Sequence, residues 1–136
     1  MMRIVIDLQG AQTTGSRNRG IGRYSLSLAQ AIARQRDEHE IIIVLNGIFA
    51  DSIDPIRKDF AELLPAENIK VWHPLKPVHA ADPANIWRRK ASEAIREFFL
   101  ASLQPDMVLV SSLFEGFGAP RHLEWIRGCG TLRILL

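Results

Sequence analysis

Three features of this chain predict an α/β fold built on a doubly wound parallel sheet. Short apolar runs rich in β-branched residues alternate with segments of helical periodicity. Those runs lack polar alternation, the pattern of strands buried on both faces. A basic, glycine-rich stretch joins the first run to the first helical segment, reading D-L-Q-G-A-Q-T-T-G-S-R-N-R-G-I-G-R-Y from Asp7 to Tyr24.

Residues 3–8 hold Ile4, Val5 and Ile6 and read as the first strand. A helix is expected over residues 20–35, with Ile21, Tyr24, Leu28 and Ile32 at three- and four-residue spacings along one apolar face. Residues 40–46 (E-I-I-I-V-L-N) form a second strand, closed by the turn pair Asn46 and Gly47. Asp54 with Pro55 predicts a helix start, Ile56, Phe60, Leu63 and Leu64 its stripe, and Pro65 its end. A short third strand is expected over residues 69–72, then a proline-rich connection over residues 73–84. Asp82 and Pro83 repeat the capping device and open the longest helix, to about Leu103. Its expected inward face is Ala91, Ala94, Ile95 and Phe98, with Arg89, Glu93, Arg96 and Glu97 pairing outside. Residues 107–110 (M-V-L-V) are a fourth buried strand with a polar, turn-like exit.

Right-handed crossovers between parallel strands then give a Rossmann-like sheet, with helices on both faces and strand order 3-2-1-4. A ligand would bind beyond the carboxyl ends of the strands where the order reverses, between the first and fourth strands. Two loops flank that point, over residues 9–22 and 111–118.

Composition narrows the function classes. A chain of 136 residues is one domain of ordinary size, and a net charge of +2 does not by itself imply nucleic acid. The basic residues cluster instead, at Arg17, Arg19 and Arg23 and again at Arg88, Arg89 and Lys90. Such clusters suit a phosphorylated ligand or an anionic membrane surface, or form a solvated helix face. Cys129 is the single cysteine, so no internal disulfide can form, which fits a reducing cytoplasm. Asp7 interrupts the first apolar run too early for a signal peptide, and no run approaches the roughly 18 apolar residues of a membrane span.

Within the glycine-rich stretch, Gly10, Gly15, Gly20 and Gly22 would let the backbone approach a ligand, while amides at a helix start attract anions. Several nucleotide-site patterns fail. Gly20 and Gly22 half-match the dinucleotide fingerprint G-x-G-x-x-G, but lie twelve residues past the strand, and the second strand ends in Asn46 rather than an acidic residue. No glycine is followed by Lys-Ser or Lys-Thr, and no serine sits in a G-x-S-x-G elbow. His39, His73, His79 and His122 are scattered without metal-ligand spacing. Neither metal, serine-nucleophile nor thiol chemistry is indicated, so no catalytic residue is assigned.

A first strand ending in Asp7, a long glycine-containing loop and then G-I-G-R-Y opening the first helix resemble the start of GT-B glycosyltransferases of family 4. The segment P-D-M-V-L-V-S-S-L-F-E-G resembles the fourth strand and the loop after it in bacterial polysaccharide mannosyltransferases of that family. The likeness covers roughly residues 3–118. It implies retaining transfer of a sugar, mannose being one candidate, from a nucleotide-sugar donor to a glycan or lipid-linked acceptor. Such enzymes have two Rossmann-like domains, the amino-terminal one holding the acceptor and the carboxy-terminal one most of the donor. Residues 1–118 are thus expected to be the acceptor-side domain, half of an enzyme and inactive alone. No cofactor beyond the nucleotide-sugar substrate is implied. The expected location is the cytoplasm, including peripheral contact with the inner face of the plasma membrane. A domain separated from its partner exposes apolar surface, so homodimerisation is also expected.

The resemblance puts Gly15, Gly20 and Gly22 in the loop approaching the donor diphosphate, with Arg17, Arg19 and Arg23 offsetting its charge. The glycines would otherwise serve a tight turn and close helix packing, and Arg23 would turn into the helix. Ser111, Ser112 and Glu115 would line the cleft. Asp7 would orient the loop or be purely structural. Residues 119–136 form a divergent tail: either a short helix ended by Gly128 and a last strand from Thr131, or a departure from the parent enzyme. A self-contained Rossmann-like nucleotide or phosphate-binding module without catalysis is the alternative reading of the whole chain.

Overall fold

Five parallel strands, in the order β3-β2-β1-β4-β5, organise the computed structural model, which describes residues 1–13, 17–75, 83–110 and 131–134. β1 is Arg3–Asp7, β2 Glu40–Asn46, β3 Ile69–Trp72, β4 Met107–Val110 and β5 Thr131–Ile134. Three helices connect them: α1 Gly20–Arg34, α2 Ala50–Phe60 and α3 Ile86–Ser102. Short 3-10 turns occupy Gln9–Ala11, Ala66–Asn68 and Pro83–Asn85. The expected strand order is the one found, and residues 131–134 pair with β4 as a fifth strand. Central β1 aligns Ile6 with Ile43 of β2 and with Leu109 of β4.

Each strand residue alternates between two apolar layers. Ile6, Leu8, Ile41, Ile43, Leu45 and Leu109 pack with Ala29 and Ala33 of α1 and Ile56 and Phe60 of α2. Val5, Ile42, Val44, Trp72, Val108 and Val110 form the other layer with Leu100 of α3. Being covered on both sides explains why β2 is an unbroken apolar run. At the amino edge, Arg3 ties three segments together. Its Nε lies 2.7 Å from Glu40 Oε2, its Nη1 donates to the Leu103 carbonyl at 2.7 Å, and its amide donates to Asp106 Oδ2 at 2.7 Å.

All three helices depart from the sequence expectation in an informative way. α1 turns Gly22, Ser25, Ala29 and Ala33 to the sheet, with Leu26 and Ile32 partly buried beside them. Ile21 and Tyr24 are instead 43% and 53% exposed. The contact face is rotated roughly a quarter turn from the stripe of large residues. Small side chains let the helix sit close to the sheet, and a count of large apolar residues overlooks them.

α2 starts at Ala50, not Asp54, so Pro55 falls inside it. A proline there forfeits one amide bond. The extra first turn is anchored by Ser52, whose amide and hydroxyl both donate to the Phe49 carbonyl, at 3.0 and 2.7 Å. Ile56, Phe60 and Leu64 are buried as expected, although the helix ends at Phe60.

α3 differs most. Ser92, Arg96 and Leu100 are buried against the sheet, with Ile95, Phe99 and Leu103 packed beside them. Arg96, expected outside, is inside, whereas Phe98, expected inside, is 76% exposed. The helix begins at Ile86 after the Pro83–Asn85 turn, and Asp82 lies outside the described residues. Among the described residues no helix is long and apolar enough to cross a membrane.

This orientation of α3 predicts opposite results at neighbouring positions. Leu100→Ala should lower the unfolding free energy by about 2–5 kcal/mol, as for a buried truncation. Phe98→Ser should change it by no more than about 0.5 kcal/mol. Urea titration at sub-micromolar protein, followed by tryptophan fluorescence, measures both.

Candidate functional site at the carboxyl edge of the sheet

The strand order reverses at β1, so the crevice between β1 and β4 is where this topology offers a ligand site. Asp7 closes β1 at that edge and lies on the α3 side of the sheet, where it is buried. Its Oδ2 accepts from Arg96 Nε at 2.8 Å and from Arg96 Nη2 as well. Its Oδ1 accepts the Gln9 amide at 3.1 Å. The carboxylate therefore joins α3 to β1 and also starts the turn that carries the chain out of the sheet. Asp7 thus has both the structural role and the orienting one, with one oxygen used for each.

A second polar group secures the same turn. Gln12 is buried, its Nε2 donating to the Asn46 carbonyl at 3.0 Å and to Ser52 Oγ at 3.1 Å. Its Oε1 accepts the Asn46 amide at 2.8 Å. Asn46 Nδ2 reaches Gln9 Oε1 at 3.3 Å, and Asn46 Oδ1 accepts the Ile48 amide at 3.0 Å. Four side chains from three segments thus satisfy the backbone where β1 and β2 end, as buried polar groups must be. The loop backbone is itself bonded, with the Leu8 amide on the Val44 carbonyl at 3.1 Å and the Gln12 amide on the Gln9 carbonyl at 2.9 Å.

The glycine-containing connection therefore has two unlike ends. Residues 9–13 are buried and bonded. Beyond them the Arg17 amide returns to the Thr13 carbonyl at 2.7 Å, and Arg17 Nη1 lies 3.5 Å from Asp51 Oδ2. Arg19 is the N-cap of α1, in extended conformation, exposed and without a side-chain cap bond. The first turn of α1 holds no acidic residue, so nothing there offsets its positive end. Arg23 is exposed, its amide bonding the Arg19 carbonyl at 3.0 Å.

The glycines also divide. A methyl group added at Gly20 would meet nothing within 4 Å, so neighbouring atoms do not demand glycine there. Gly22 is buried on the face turned to the sheet. The structure thus brings Arg19, Gly20 and Arg23 together as an open, positive rim, with Arg17 held toward α2. Gly15, Ser111, Ser112 and Glu115 lie outside the described residues, as does His122.

Sequence reasoning does not single out Gln9, Gln12, Asn46, Ser52 and Arg96 as a group at this edge. Two glutamines directly after a buried strand are the available signal. Arg96 leaves none, since its partner lies 89 residues away. Among the described residues no cluster of His, Cys, Asp or Glu could hold a metal ion. A hollow of about 130 Å³ lined by Arg57, Ala61, Leu64, Ala66 and Ile69 opens near the start of β3, at the other edge of the sheet.

Replacing one member of the Asp7–Arg96 pair should be far worse than replacing both. Asp7→Leu or Arg96→Met alone leaves a buried charge without its partner and should lower stability by about 3–5 kcal/mol. The double variant should be more stable than either single one. A double-mutant cycle by urea denaturation measures this, and additive effects would mean that the two groups are uncoupled.

The chain is 35% identical over 116 residues to a serotype-specific mannosyltransferase WbdA of Escherichia coli, a match covering 85% of this chain and 14% of that protein. Two further Escherichia coli proteins of the same name match at 30% over 92 residues and 31% over 90 residues, each over 11% of the relative's length. No family model matches the chain, and no solved structure matches it. The chain thus spans a small part of the curated relatives it matches, and its similarity is to a segment of mannosyltransferases.

Proposed function

We propose that this chain is the amino-terminal, acceptor-side domain of a retaining GT-B glycosyltransferase of family 4. It would transfer a sugar, with mannose the leading candidate, from a nucleotide-sugar donor to a glycan or lipid-linked acceptor. The observation that carries this reading is the similarity to WbdA mannosyltransferases over 85% of the chain. The sheet order and the position of the basic loop support it, since ligands of such sheets bind at the carboxyl edge where the strand order reverses, and the loop starts there.

In the transfer, the bond from the sugar's anomeric carbon to the donor phosphate breaks, and the nucleoside diphosphate leaves with the bonding pair. A bond forms from the acceptor hydroxyl oxygen to the same carbon, and the hydroxyl proton passes to an oxygen of the leaving phosphate. Fixed positive charge near the leaving diphosphate lowers the barrier because it needs no rearrangement when charge develops. Arg19, Arg23 and the amino end of α1 would supply that charge from this side of a cleft, and Gly20 would let the backbone come close. The Asp7–Arg96 pair and the Gln12 network would hold the rim in place without touching the substrate. A carboxy-terminal domain would bind most of the donor, and the reaction would run on the cytoplasmic side with no further cofactor.

Two titrations of the isotope-labelled 136-residue chain test this. A mannose oligosaccharide should shift the amide resonances of Val110, Ser111 and Glu115, on the side of the cleft given to the acceptor, and leave those of Ala61 and Ala66 unmoved. GDP-mannose should bind with millimolar affinity, about tenfold weaker still in Arg19→Ala, and the chain alone should transfer no mannose. Silence at the end of β4 would overturn the acceptor-side assignment. Micromolar nucleotide binding by the chain alone would favour the self-contained module, and robust transfer by it would refute the half-enzyme reading.

A further inference from the structure

The outward face of α3 is the feature that neither the fold nor the candidate site uses. Ser92, Arg96 and Leu100 face the sheet, which places Trp87, Ala94 and Phe98 on the opposite side. Trp87 is 58% exposed, and the Arg88 guanidinium lies 4.7 Å from the centre of its ring. From Trp87 to Phe98 the stripe runs about 16 Å along the helix axis, three turns of apolar side chain where a solvent-facing helix is ordinarily polar. The sequence pattern places two of these residues, Ala94 and Phe98, on an apolar face together with Ala91 and Ile95.

We propose that the stripe is a contact face, and that its occupant is a second copy of this chain, packed antiparallel across a two-fold axis at Ala94. A two-fold contact requires a surface that complements itself, and this one does so in size and in charge. With Ala94 on the axis, each residue lies opposite the one equally far beyond Ala94 on the other helix. Trp87 then meets the small Ala101 of the second copy, and Phe98 comes level with its Lys90, beside Ala91. Trp87 falls on an alanine at both ends of the contact, and the alanine at the crossing lets the helices approach to about 8 Å.

The charges agree with the same register. Lys90 and Glu97 lie on one flank of the stripe, and antiparallel packing brings Lys90 of each copy beside Glu97 of the other. Two symmetric ion pairs result, from residues that share a flank seven positions apart. An anionic membrane would fit less well, because it would attract Lys90 and repel Glu97 on the same rim. One helix pair buries less than a standard interface, so the dimer is weak, with a dissociation constant on the order of tens of micromolar.

Sedimentation equilibrium of the 136-residue chain from about 5 to about 500 µM tests the proposal. Wild type should pass from monomer to dimer across this range. Ala94→Arg should remain monomeric with an unchanged circular dichroism spectrum and urea midpoint, since Ala94 is exposed. Lys90→Glu should weaken the dimer at least about fivefold, and adding Glu97→Lys should restore it, because the swapped charges pair again across the axis. A wild-type chain that stays monomeric throughout, or a dimer indifferent to Ala94→Arg, would overturn the proposal. So would a double variant no tighter than Lys90→Glu, or a monomer that sediments with phosphatidylglycerol vesicles through Trp87 and Phe98.

Discussion

A carboxylate at the carboxyl end of β1 constrains more of this molecule than any other single group. Asp7 is buried on the α3 side of the sheet with Val5, where a carboxylate needs hydrogen-bond partners. Arg96 is one, and burying that arginine fixes how α3 is rotated about its axis. Leu100 and Ile95 come onto the sheet with it, while Trp87, Ala94 and Phe98 are left outside. The second carboxylate oxygen takes the Gln9 amide, so the same group decides how the chain leaves β1.

The connection from β1 to α1 is rigid first and open second. Gln9 and Gln12 are tied to Asn46 and Ser52, which anchors the loop to the end of β2 and lengthens α2 by a turn at its start. From residue 18 the described part of the connection is exposed, and there Arg19 and Arg23 border the uncapped start of α1. Residues that secure the fold and residues free to meet an anion are thus separate along one loop. Such a division suits a site that must hold its shape while its partner groups come from elsewhere.

The relation to mannosyltransferases and the geometry of this edge bear on each other. The similarity spans most of this chain but a small part of those proteins. The sheet edge offers positive charge and open backbone, and no cluster of metal-binding side chains among the described residues.

Strand positions are legible in the sequence almost to the residue. β2, β3 and β4 each stand out as an apolar run between turn residues, and strictly alternating elements lead to the order 3-2-1-4. The placing of Arg19, Gly20 and Arg23 at a helix start is legible too, because it depends only on neighbours in the chain. Helix faces are not. Periodicity weighs large apolar residues, whereas α1 docks through glycine, serine and alanine and α3 docks around a buried arginine. The start of α2 is hidden for a related reason, since Asp54 and Pro55 form a local cap signal that Ser52 overrides through distant partners. Where the strands lie follows from local composition, because a central strand buried on both faces is an apolar run. Tertiary structure alone decided which side of each helix turns inward, because that depends on pairing a charge and fitting a surface between residues far apart in the chain.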